Sequence, residues 1–228
     1  MTEAALEYDL HNGYIHNWLV VGPEPIPLSQ QIRNDPGALR EVAQGYAGTK
    51  PSLTEAPAEP ATPDGGIVTV GSFRGRWRYR QAGKDHRLDL TDEVEPGTYS
   101  RAWAYAEIKS EIAGDATLTL TTTGPADLWW NDRLVHQTVE IEDVRHSNTL
   151  EVTLMEGRNT VLVQFGVVAT NAAPLGCALR IGTTTEGAAA GGSSSVSVVL
   201  PTEIRPMDRR RQYEALFNAA YLDRYVFT

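Results

Sequence analysis

Apolar and polar positions along the chain change period near residue 67, and that change divides it into two regimes. Before it, Tyr14 to Val21 is a short aromatic and β-branched run that predicts a buried strand ending at Gly22-Pro23, with Pro25 and Pro27 beyond. One helix is expected in the segment 24–66: Asp35 can cap it, Pro36 suits its first turn, and Leu39, Val42 and Tyr46 recur at helical spacing. The stretch after it, with Pro51, Pro57, Pro60 and Pro63 among Ala and Glu, reads as an exposed extended loop.

From Ile67 the period is two. Val68, Val70, Phe73, Trp77 and Tyr79 mark one strand region, and Ala102, Ala104, Ala106 and Ile108 alternate with Trp103, Tyr105 and Glu107 in another. Further strands are expected at Leu118 and Leu120, Leu128 and Trp130, Leu150 to Leu154, Val161 to Phe165, and Leu179 and Ile181. Strands recurring every 8 to 12 residues or so, with turn residues between them, favour an antiparallel β-sandwich over a parallel α/β sheet.

A Gly- and Ser-rich linker follows at 183–195, then a strand at Val196 to Leu200. A C-terminal amphipathic helix is expected, which Asp208 can cap and whose face of Tyr213, Leu216, Phe217 and Tyr221 would need a partner. The expected division is a sandwich over 1–182, with 24–66 as an insertion, and a linker, strand and helix over 183–228. Because that helix runs to Tyr225-Val226-Phe227-Thr228 without a polar tail, a further domain of the same polypeptide, or a partner subunit, is expected to receive it.

Composition narrows the function classes. In 228 residues, 29 Asp and Glu against 20 Lys and Arg leave a formal charge of -9, which disfavours nucleic acid and anionic membrane surfaces as partners. With 41% hydrophobic and 21% charged residues the chain is expected to fold. Cys177 is the only cysteine, so an intrachain disulfide and a cysteine-rich zinc site are both excluded. The acidic start lacks the pattern of a secretory signal, and no apolar run reaches the roughly 20 residues of a membrane span, so a cytoplasmic location is expected.

Four segments in order carry a resemblance: Asn17 to Pro23, Tyr99 to Ile108, Ala126 to Val135, and Gly157 to Val163. Together they resemble the galactose-binding-like jelly-roll domains found at the N-terminus of bacterial glycoside hydrolases and related sugar-processing enzymes. In the third segment, Trp130-Asn131-Asp132-Arg133, the glycine usual in the family is Asp132, a residue that still tolerates a left-handed turn. The resemblance implies a mainly β, antiparallel jelly-roll sandwich serving a carbohydrate enzyme, often without chemistry of its own.

Candidate sites follow, each with a packing alternative. Trp129 and Trp130 are strand neighbours and must point to opposite faces, so one of them could form a sugar platform, Trp129 with Asn131 on its face, but cover over both faces is the preferred reading. Trp103, Tyr105 and Glu107 share a face and could form an aromatic wall with a carboxylate; equally, they are core, with Glu107 held by an arginine, and core is the preferred reading. Arg74, Arg76, Arg78 and Arg80 could bind acidic glycan, but pairing with Asp89, Asp92 or Glu93 is the simpler expectation.

No Gly-x-Ser-x-Gly elbow, phosphate loop or dinucleotide fingerprint occurs. His11 and His16 are five apart with no third ligand nearby in sequence, and His86, His136 and His146 lie in separate segments, so no metal pattern emerges. No cofactor is expected, although calcium held by backbone carbonyls leaves little sequence trace. The leading expectation is a non-catalytic accessory module with a structural or weak glycan-binding role. The alternatives are a stand-alone glycan-binding or protein-interaction protein and, last, a small glycosidase or lyase.

Overall fold

The computed structural model describes residues 6–51, 67–141, 144–169, 173–183 and 196–200. Two antiparallel sheets make a β-sandwich, the fold class the period-two pattern predicts. The strands are β1 (Leu6–Asp9), β2 (Asn17–Pro27), β3 (Ile67–Val70), β4 (Phe73–Arg76), β5 (Arg78–Gln81), β6 (Leu88–Asp89) and β7 (Thr98–Ser110). They continue with β8 (Gly114–Thr122), β9 (Ala126–Trp130), β10 (Arg133–Thr138), β11 (His146–Leu154), β12 (Gly157–Ala169), β13 (Gly176–Thr183) and β14 (Val196–Leu200). Two helices, α1 (Gln30–Arg33) and α2 (Pro36–Tyr46), lie between β2 and β3.

The larger sheet runs β1-β14-β7-β12-β9-β10, with β2 on the same edge of β7 as β14 and β5 beyond β2. The smaller sheet runs β11-β8-β13-β6, and β3 and β4 form a separate ribbon. All four segments of the family resemblance lie in the larger sheet, as β2, β7, β12 and the β9-β10 hairpin. At that hairpin Asn131 and Asp132 take φ of 48° and 65°, the left-handed pair of a tight turn, so Asp132 serves where the glycine was expected.

Alternation in β7 sorts the core into two layers. Ala102, Ala104, Ala106 and Ile108 are buried on the face shared with Val161, Val163 and Phe165 of β12 and with Trp130 of β9. Trp130 Nε1 donates to the Thr153 carbonyl of β11 at 3.0 Å, so this small-residue face meets the smaller sheet. The opposite face carries Tyr99, Arg101, Trp103, Tyr105 and Glu107, and it is buried too.

Its cover is the region between β2 and β5. Helix α2 has the expected start, with Asp35 Oδ1 accepting from the N–H groups of Gly37 and Ala38 at 2.9 and 3.2 Å and Pro36 at its first position. Leu39 and Ala43 of α2 pack in a cluster with Tyr99 and Val168, while Phe73 of β4 stacks on Trp103.

Two expectations are corrected. Strand β2 does not stop at Gly22-Pro23; it continues to Pro27, paired with β7. Beyond Val20 its other edge has no partner strand among the described residues, so prolines at every second position place their missing N–H on that side. The strand at Val196 to Leu200 belongs to the sandwich rather than to a connection after it: β14 pairs with β1 and with β7. The expected C-terminal helix, with Tyr213, Leu216, Phe217 and Tyr221, and most of the Pro-rich loop lie outside the described residues.

Candidate functional site

The expected aromatic platforms are closed. Trp103 is fully buried, and its Nε1 donates to the Thr49 carbonyl at 2.9 Å and to Gln164 Oε1 at 3.1 Å. Trp129 and Trp130 are each only 5% exposed. Trp129 lies on the same face as Asp127, whose Oδ2 accepts from the Gly48 N–H at 2.7 Å, so the chain after α2 crosses this face. The amide of Asn131 is used against the start of β12: Oδ1 accepts from Thr160 N–H at 2.8 Å and Nδ2 donates to Asn159 Oδ1 at 3.0 Å.

Glu107 has the arginine partner that its burial requires. Arg158 Nη2 donates to its carboxylate, and Tyr105 Oη donates to the same oxygen at 3.0 Å. Burial pushes the Glu107 carboxyl above its usual range against the pull of Arg158, and pushes the Tyr105 hydroxyl up as well. In the arginine row, Arg78 and Arg80 both bind the Glu93 carboxylate at 2.7 Å, the simpler of the two expectations. Cys177 is fully buried, and burial pushes its thiol up to about 12, which keeps it out of thiolate chemistry.

The open chemistry lies at one end of the smaller sheet. Here His11-Asn12-Gly13-Tyr14 forms a two-residue hairpin in which His11 and Tyr14 exchange backbone bonds of 3.1 and 3.0 Å. Asn12 and Gly13 both have positive φ, 55° and 81°, and a Cβ on Gly13 would lie 2.8 Å from the Ile181 carbonyl oxygen, so glycine is required. Ile15 N–H donates to the Leu179 carbonyl and Ile181 N–H to the Gly13 carbonyl, which fastens the hairpin to β13.

The loop between β5 and β6 arrives beside it. Ala82 N–H donates to the His16 carbonyl at 2.8 Å, and Gly83 N–H to the Arg87 carbonyl at 2.8 Å, closing a tight turn with His86 at φ 66°. The turn lays the His86 ring on Tyr14, with centroids 4.3 Å apart and planes 3° apart. His86 Nδ1 and His16 Nε2 are 2.7 Å apart, and His11 completes a group of three.

Beside this group runs a groove of about 240 Å³. Tyr14 forms part of its wall, Asp85 and Arg87 enter from the loop, and Arg145 enters from the start of β11. Its floor is the end of the smaller sheet, where Ser147, Thr121 and Ala178 are aligned across β11, β8 and β13. Thr121 and Ser147 share a hydrogen bond of 2.8 Å. Arg87 Nη2 is buried with no acceptor among the described residues. Sequence reasoning missed this end of the molecule. The Asn12-Gly13 hairpin was a readable signal, whereas the approach of His86, 70 residues from His16, was not.

No family model and no curated protein matches the chain. Among solved structures, it is similar to a β-glucosidase from Kluyveromyces marxianus, at 19% identity and TM-score 0.38, covering 59% of this chain and 15% of that one. It is similar to a family 35 carbohydrate-binding module from Cellvibrio japonicus, at 18% identity and TM-score 0.26, covering 56% and 91%. A third is a GH31 α-xylosidase from Xanthomonas citri, at 12% identity and TM-score 0.33, covering 88% and 23%. The chain therefore spans under a quarter of the length of either enzyme.

Proposed function

We propose that the chain is a non-catalytic β-sandwich accessory module of a larger carbohydrate-active enzyme, and that it holds glycan weakly in the Tyr14 groove. The groove itself carries this reading. A sugar offers an apolar C–H face to an aromatic ring and pairs of hydroxyls to guanidinium, carboxylate and hydroxyl groups. Tyr14, Arg87, Arg145, Asp85, Thr121 and Ser147 supply that set within one depression.

Asp85 is the only carboxylate on this groove among the described residues, whereas glycoside hydrolysis generally uses two, so binding rather than turnover is the chemistry supported. The groove is open and mostly polar, with little apolar area to desolvate, which suits weak affinity.

The test is calorimetry against a panel of neutral and acidic oligosaccharides, with aryl glycosides assayed for turnover in parallel. Binding of at least one glycan class with Kd between about 10 μM and 1 mM is expected, and loss of it in Arg145→Ala and Tyr14→Ala. Glycan binding that survives both substitutions, no binding across the panel, or turnover abolished by Asp85→Asn would overturn the reading.

A further inference from the structure

The three histidines beside the groove form a compact donor set. Ring centroids are 5.0 Å apart for His11 and His16, 5.0 Å for His16 and His86, and 5.4 Å for His11 and His86, a nearly equilateral triangle. The ring planes are splayed by 82°, 69° and 56° rather than stacked on one another, and one nitrogen of each lies within 4.8 Å of the other two. We infer that His11, His16 and His86 form a site for one divalent transition-metal ion of the Zn²⁺ type, with a coordination position left open to solvent.

Two features of the fold build this set. In the Asn12-Gly13 hairpin His11 and Tyr14 are cross-strand partners, so His11, Tyr14 and His16 share one face of the extended chain. The Gly83–Arg87 turn then delivers His86 in a left-handed conformation that few non-glycine residues occupy, and the Tyr14 ring fixes its plane. Three imidazoles suit Zn²⁺, Co²⁺, Ni²⁺ or Cu²⁺ and do not suit Ca²⁺ or Mg²⁺, which take oxygen ligands.

Bonds of about 2.0 to 2.1 Å in a tetrahedral site set ligand nitrogens ~3.3 Å apart. Rotation of the rings would have to open the His16 to His86 separation of 2.7 Å by roughly 0.6 Å and close a pair at the 4.8 Å limit by about 1.5 Å. A bound ion would tie the hairpin to the β5-β6 turn, the two loops that carry Tyr14 and Asp85 into the groove. The site does not depend on glycan binding.

The test uses the untagged full chain, stripped with a chelator and titrated at pH 7.5 with ZnCl₂ and separately with CoCl₂. One ion per chain is expected, with visible Co²⁺ absorption bands of a four- or five-coordinate site and a raised Tm. His11→Gln, at an exposed position whose loss does not threaten folding, is expected to weaken binding about tenfold or more, and His86→Gln to do the same. Arg145→Ala is expected to keep full metal affinity while losing glycan, so the two readings fail separately. No binding up to about 1 mM free Zn²⁺, or wild-type affinity in both histidine variants, would overturn the site.

Discussion

Two regions of this molecule are built from the same materials, aromatic rings with arginine and carboxylate close by, and they have opposite fates. On the outer face of the larger sheet, Arg101 lies between the rings of Tyr46 and Trp103 at 4.5 and 4.7 Å and is bound to Glu24 at 2.6 Å. Arg101 and the nearby Trp103 find their polar partners inside the chain, on Glu24, Gln164 and the Tyr46 and Thr49 carbonyls. At the end of the smaller sheet, Asp85 and Arg145 are exposed and Arg87 Nη2 has no acceptor among the described residues. The difference is the cover. Helix α2, Thr49 and Phe73 lie over the first region, whereas Asp85 and Arg145 of the second stand in solvent. Residue type announces a polar aromatic cluster; whether it becomes core or site depends on what the chain places above it.

That contrast can be broken by mutation, most strongly on the covered face. Trp103→Ala is expected to cost about 3 to 5 kcal/mol of stability in denaturant titration, because a fully buried indole leaves a cavity and strands its partners. Metal and glycan binding by the molecules that remain folded should be unchanged. A loss under 1 kcal/mol would mean that the outer face is loosely covered and the contrast false.

A smaller effect is expected at the rim of the same face. Arg158→Ala removes the partner of a buried carboxylate, but the Arg158 side chain is 67% exposed, so about 1 kcal/mol is expected at pH 7. The sign of its pH dependence is fixed. The folded-state pKa of Glu107 is raised, so the folded chain holds this proton more tightly, and the carboxyl disfavours folding as pH rises from 4.5 through its folded value. Without Arg158 that value rises further, so the deficit should be largest at neutral pH and shrink below 4.5.

The smallest effect belongs to the open end. His16 has a lowered pKa, so below 6.5 the unfolded chain takes up this proton before the folded one, and stability falls as pH drops through that window. His136 acts in the same direction, whereas Asp127 and Glu107, with raised values, act in the opposite one at lower pH. Comparing Tm against pH for wild type and His16→Gln isolates the contribution: the variant should lose less on going from pH 7.5 to 5.5. An identical slope in both proteins would show that His16 is not held neutral.

Much of the sandwich was legible because strand alternation is a local property. The alanine row of β7, the β9-β10 hairpin and the Asp35-Pro36 start of α2 each follow from neighbours in sequence. Trp103 and Tyr105 were foreseen as packed residues, yet the reason lay elsewhere: the alanine face meets the second sheet, and the large residues are covered by Thr49 of the insertion together with Phe73 and Trp77 beyond it. The candidate site was not legible, since only the fold joins a hairpin at residues 11–14 to a turn at 83–87 and a strand start at 145–147. The prolines of β2 read as a stop because sequence does not tell which edge of a strand is free.

The register of β1 on β14 gives the sandwich a mechanical character. Leu6 is paired with Leu200 and Asp9 with Ser197, and among the described residues β1 is the outermost strand of its sheet. A tether pulling on both ends of this unit would therefore grip two antiparallel neighbours at the same end. Their ladder would part bond by bond, like a zipper, instead of resisting in shear as one row. Under tension the first structure to yield is the β1-β14 pair, while β7, held along most of its length by β12 and β2, keeps the rest of the sandwich closed.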